Sequence, residues 1–168
     1  MIQGDFNMER IIGYQYSETG ATGYYFYKDK KLLCKITTGL FFPVWIMGMG
    51  REWESKYDLN NTILPGVSRK IKDTASGETI AKITYVSAGR YRIGDLIEVN
   101  CSEGKETFTM SGKVIATINR FSGEEDIWIP EEEWKEFEPF FDLEISEEVD
   151  ESLLLLIAGF PMLKFGLS

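Results

Sequence analysis

The stretch Leu153-Leu154-Leu155-Leu156-Ile157-Ala158-Gly159-Phe160-Pro161-Met162-Leu163 decides the fold. From Leu153 to Phe160 no polar residue interrupts the run, and a helix that is apolar on every side has to be surrounded on every side. Either lipid or protein surrounds it. Its eleven residues fall well short of the roughly twenty that cross a bilayer, and Lys164 closes it. A buried helix is therefore expected, and it outweighs the alternative of a tail-anchored span. Asp150 stands where an N-cap carboxylate accepts from free backbone N–H groups, and Glu151 adds charge that suits the positive helix end. Pro161 offers no N–H to the Ile157 carbonyl and its ring clashes there, which predicts a kink or break at Gly159–Pro161, with Gly166 stopping what remains.

The rest of the chain supplies the surround. Gly, Asn, Asp and Ser clusters punctuate short segments rich in Tyr, Phe, Ile, Val and Thr, the rhythm of antiparallel strands. Strands are expected near 10–17, 22–28, 31–37, 40–48, 52–58, 67–73, 78–86, 89–93, 96–101, 105–110, 113–121 and 139–146. Alternation is clearest in Phe141-Asp142-Leu143-Glu144-Ile145, where apolar side chains point one way and carboxylates the other. Pro130, three glutamates, Trp134 and Phe137 either open a short surface helix or run as a loop. Three segments share a pattern of charged, variable, aliphatic, small, Lys or Thr, Ile: Lys31–Ile36, Glu78–Ile83 and Lys113–Ile118. Each follows a turn and reads as the return strand of a hairpin, with its small residue (Cys34, Ala81, Ala116) leaving room for something bulky. About a dozen strands closed into a barrel leave a lumen wide enough for one helix. The expected fold is mainly β, a closed antiparallel barrel of about twelve strands around a buried hydrophobic C-terminal helix at about 150–167, with 1–168 as a single domain.

Composition narrows the chemistry. The 168 residues are 43% hydrophobic and 14% aromatic, as in a folded protein. Histidine is absent, which excludes Ser-His-Asp and Cys-His pairs and histidine-containing zinc sites. Cys34 and Cys101 lack the paired spacing of a zinc ribbon, redox motif or disulfide scaffold and read as buried small hydrophobes. No catalytic constellation, metal site or cofactor motif is found, and paired carboxylates are inevitable among 27 acids. The net charge of −9 argues against nucleic acid as a partner. Its distribution is uneven: residues 1–100 carry 13 Lys/Arg against 11 Asp/Glu, residues 101–168 carry 5 against 16. Fourteen acids lie between Glu124 and Glu151, a solvated segment that matches no twelve-residue calcium loop. Met1 to Asp5 shows no secretory leader, so the expected location is cytoplasmic, with peripheral membrane contact as a further option.

The hairpin from Arg69-Lys70-Ile71-Lys72-Asp73 to Gly77-Glu78-Thr79-Ile80-Ala81-Lys82-Ile83, its analogue Gly112–Ile118, and the final strand with Asp150 and the Leu-rich helix together resemble the tubby carboxyl-terminal superfamily. The branch resembled contains the LURP-one-related proteins and phospholipid scramblases, and the resemblance covers about 20–167. It implies a twelve-stranded barrel wrapped around a hydrophobic terminal helix. The tubby branch binds phosphoinositides through basic residues on the barrel surface, although no tubby signature carries those residues over one by one. The palmitoylated cysteine cluster and calcium segment of scramblases have no counterpart in two isolated cysteines and an irregular acidic run.

Two function classes follow. The first is a non-enzymatic binding module for an anionic phospholipid headgroup, held outside the barrel because the helix fills the lumen. Its candidate residues are Lys70 with Lys72, on one face of a strand, and Arg90 with Arg92, on one face of another. The second is a regulatory or structural protein that docks another macromolecule, anchored by Trp128 and Trp134 beside the acidic segment.

Overall fold

Turns in the left-handed region of backbone space set the register of the sheet. Asp29-Lys30 (φ 50° and 65°), Gly77 (φ 74°) and Ser111-Gly112 (φ 51° and 78°) precede the three return strands of the repeated pattern. Glycine relieves the Cβ clash at two of these turns. The computed structural model describes residues 7–18, 21–38, 43–56 and 65–164. Its strands are β1 (Met8–Glu18), β2 (Ala21–Lys28), β3 (Lys31–Thr38), β4 (Val44–Gly48), β5 (Arg51–Ser55) and β6 (Ser68–Asp73). The second half contains β7 (Thr79–Ser87), β8 (Arg90–Ile93), β9 (Ile97–Ser102), β10 (Lys105–Met110), β11 (Lys113–Arg120) and β12 (Glu136–Ser146), and the chain closes with α1 (Glu151–Leu163).

Each strand pairs antiparallel with its sequence neighbours, and β1 pairs with β12 from Met8↔Ser146 to Ser17↔Glu136, so the sheet is a closed barrel. The three repeats share one device. In β3, β7 and β11 the ladder skips the aliphatic residue ahead of the small one (Leu33, Ile80, Ile115), a β-bulge at the same place in each hairpin. The small residue then lies opposite a fully buried bulky one: Cys34 faces Phe26, Ala81 faces Ile71 and Ala116 faces Phe108. Burial pushes the Cys34 thiol up to about 12, as expected of an inert core cysteine.

Helix α1 occupies the lumen. Leu155, Ile157, Phe160 and Leu163 are wholly buried, and Phe160 meets Tyr91 of β8 and Phe108 of β10 edge-on, each at 5.4 Å between centroids. Gly159 allows close approach to β4, where a Cβ would meet Ile46 Cδ1 at 2.7 Å. Arg69 of β6 donates from Nη1 to the Leu163 carbonyl at 3.2 Å, a cation at the negative end of the helix dipole. Contacts to β4, β6, β8 and β10 fall on every second strand over half of the ring and are made by their buried faces, so the helix lies inside and not on an outer face. At the other end Asp150 accepts from the Leu153 N–H at 2.8 Å, the cap that the sequence predicts.

Several boundaries differ. The break expected at Gly159–Pro161 does not occur: α1 continues through Pro161 to Leu163, and the Lys164 N–H closes on the Phe160 carbonyl at 2.9 Å. Only a last-turn bond is lost to the proline, and the lumen holds Phe160 and Leu163 in place. Residues 130–135 form no helix; a turn bridged by Glu132↔Lys135, with Trp134 at φ 69°, leads into β12, which starts at Glu136 instead of 139. The expected strand positions 40–42 and 57–58, Met1 to Asp5, and Gly166 with the tail of the expected helix lie outside the described residues. Among the described residues no helix is long and apolar enough to cross a membrane.

Candidate functional site

Strand parity builds a cationic outer face. In β6 the buried Arg69 and Ile71 alternate with exposed Lys70 and Lys72; in β7 Ile83 is buried and Lys82 exposed; in β8 Tyr91 and Ile93 are buried while Arg90 and Arg92 are exposed. Every exposed charged side chain of these three strands is therefore a cation. The ladders set Lys70 opposite Lys82, and Ser68, Thr84 and Arg92 in one row across β6, β7 and β8. Diagonal neighbours in such a sheet lie about 7–8 Å apart, so Lys82 and Arg92 share one potential. No ion pair among the described residues engages Lys70, Lys72, Lys82, Arg90 or Arg92. Glu54 opposite Lys72 and Glu98 opposite Arg92 bound the face on its two sides.

A groove opens along one edge of this face. Among the described residues the β5–β6 ladder has two register pairs, Trp53↔Asp73 and Glu54↔Lys72. On the Ser55 side of them side chains bridge the described residues of the two strands: Ser55 Oγ donates to the Lys70 carbonyl at 2.7 Å, and Arg69 donates from Nε to Ser55 Oγ and from Nη2 to the Ser55 carbonyl. The resulting cavity, about 550 Å³, is lined among the described residues by Lys56, Lys70 and Lys72 with Arg69 and one acid, Glu54. The exposed apolar residues Ile80 (40%) and Leu96 (71%) flank Lys82, whose backbone carbonyl accepts from the Gly94 N–H in the turn that carries Leu96.

The structure thus places Lys70 and Lys72 in the groove, and Arg90 and Arg92 on the same outward face two strands away. Lys82, Lys56 and Arg69 were not among the sequence candidates. Parity would have found two of them: the register of the quoted hairpin sets Lys82 beside Lys70, and Ile71 pointing inward turns Arg69 inward as well. The groove itself depends on how far β5 and β6 diverge, for which the sequence carries no signal.

The acidic segment lies elsewhere. Residues 121–135 cross the outer faces of β1 and β2 as a strap, pinned where Arg10 forks between Glu125 (2.7 and 2.8 Å) and Asp142 (2.9 and 3.0 Å). Tyr14 donates to the Trp128 carbonyl at 2.6 Å, and Lys135 donates to Tyr25 at 2.6 Å while lying over the Tyr25 ring. Trp128 packs edge-on against Tyr14 and Tyr27, whereas Trp134 is 91% exposed. Around the ring β7 is six positions from β1 and five from β2, so the acidic strap and the cationic face lie on opposite sides of the barrel. Among the described residues no group of three His, Cys, Asp or Glu side chains could hold a metal ion. Compared with protein-family models, with curated proteins and with solved structures, the chain matches none.

Proposed function

We propose that the protein is a non-enzymatic module that binds anionic phospholipid headgroups at the outer surface of β6–β8, in peripheral contact with a membrane. The observation that carries this reading is the unbroken set of exposed cations on three adjacent strands, without ion pairs among the described residues. Each Lys or Arg near an anionic surface is worth about 1 kcal/mol, so these cations supply on the order of 5 kcal/mol at close approach. Ile80 and Leu96 add apolar contact at the boundary of the headgroup layer, and the Lys56–Lys70–Lys72 groove suits the several charge-assisted contacts that a phosphate takes from ammonium groups. The order of hairpins, final strand and enclosed terminal helix supports reading the chain as a tubby-like barrel of the LURP-one-related and scramblase branch. A second reading, docking of another macromolecule, is favoured by Trp134, whose indole projects from the strap beside Glu131, Glu132 and Glu133.

Vesicle flotation separates the two. The protein should float with phosphatidylcholine vesicles that contain phosphatidylserine at low salt, less so at physiological salt, and not with phosphatidylcholine alone. Reversing Lys70 with Lys72, or Arg90 with Arg92, to glutamate removes two attractions and adds two repulsions, about 4 kcal/mol, enough to abolish flotation. No flotation of the wild type at low salt, or unchanged flotation of both double variants, would leave docking through Trp134 as the better account.

A further inference from the structure

The mouth of the barrel where α1 ends holds a second polar cavity, separate from the cationic face. Strand β10 turns Glu106 and Phe108 toward the lumen, and the ladders set Cys101 of β9 and Ile118 of β11 directly across from Glu106. Glu106 is only 6% exposed. Its Oε1 lies 2.9 Å from Lys164 Nζ, and its buried Oε2 accepts from no donor among the described residues. A carboxylate oxygen closed off from water without a donor is costly, and a ligand that brings one recovers that cost. The adjoining cavity, about 310 Å³, has Ile118, Phe141 and Pro161 on its apolar side and Glu103, Lys105 and Lys164 among its charged lining. Its rim carries Arg120, which lies over the Phe140 ring at 4.0 Å and has no acidic partner among the described ion pairs.

Among the described residues, a buried acceptor without a donor, a guanidinium without an ion pair and an apolar wall beside them define a complementary ligand. We infer that this cavity binds a small hydroxycarboxylic acid, its hydroxyl donating to Glu106 Oε2 and its carboxylate resting on Arg120. A hydroxyl fits better than an ammonium because Lys164 already places one cation on the same carboxylate. The volume is at the low end for ligand pockets, which limits the acid to a few carbons or one ring. Oε2 itself is buried, so the hydroxyl reaches it only when the carboxylate turns about its broad terminal torsion and the exposed-side Lys164 ammonium follows Oε1.

Amide resonances followed by NMR during titration test this. The probes are three hydroxy acids, lactate, 3-hydroxybutyrate and 4-hydroxybenzoate, each against its partner without the hydroxyl: propionate, butyrate and benzoate. At least one hydroxy acid should shift Cys101, Glu106, Ile118 and Phe141 and bind about tenfold or more tightly than its partner. Glu106→Met should erase that preference. Arg120→Gln should weaken both members of the pair alike, and reversal of Lys70 with Lys72 should change neither, which keeps this site independent of the headgroup reading. If Glu106→Met fails to fold, the paired acids and Arg120→Gln decide. No shift with any hydroxy acid up to about 10 mM, equal binding of the paired acids, or unchanged affinity in Arg120→Gln would overturn the assignment.

Discussion

Arg69 and Glu106 are the charged side chains among the buried described residues, and both meet the end of α1: Arg69 at the Leu163 carbonyl, Glu106 at Lys164. Burial raises the Glu106 pKa above the ordinary carboxylate range, against the opposing pull of Lys164 and Arg120. The folded protein therefore holds this proton at pH values where the unfolded chain has released it, and stability falls as pH rises from the ordinary carboxyl range through the folded value. Glu106→Gln cannot titrate. The melting temperature of the variant minus that of the wild type should grow as pH rises across this window, while a constant or shrinking gap would contradict a raised pKa. Both residues were legible by parity, since each lies two positions from an inward apolar neighbour, Ile71 or Phe108. Composition pulled the reading the other way, because a charge in an alternating strand is ordinarily a solvated face.

At the scale of elements, the enclosed helix makes the strongest commitment. Truncating Leu155, wholly buried in the lumen, to alanine should cost about 2–5 kcal/mol, measured by chemical denaturation. Leu156→Asp places an unpaired charge where it cannot be hydrated and should abolish soluble expression. A folded, soluble monomer from either Leu156→Asp or a chain ending at Asp150 would contradict the enclosed helix. This element was legible because its information is local: a cap, an acidic first turn and an apolar run without a polar stripe. The hairpins were legible for the same reason, each pattern containing its own turn and bulge. The strap was not. Arg10 to Glu125, Tyr14 to Trp128 and Lys135 to Tyr25 are contacts across more than a hundred residues, and no local window distinguishes a strap held by them from a short helix.

The whole molecule is a barrel charged oppositely on its two sides. A net charge of −9 would repel an anionic surface, but its acids are concentrated from Glu124 onward, and the strap that carries many of them lies behind the barrel from β6–β8. A barrel of this size is on the order of 20 Å across, more than two screening lengths of about 8 Å at physiological salt. A surface that approaches the cationic face is thus shielded from the strap, and the sequence halves, at 13 Lys/Arg against 11 acids and 5 against 16, already contained this asymmetry without its geometry. Closure of β1 on β12 turns a difference along the chain into a difference between sides. Paramagnetic broadening of backbone amides by a headgroup spin label in phosphatidylserine-containing nanodiscs tests that orientation most directly. Broadening is expected at Lys70, Lys72, Lys82, Arg92 and the Gly94–Leu96 turn, with residues 121–135 unaffected; broadening centred on the strap, or spread evenly around the barrel, would contradict a cationic docking face.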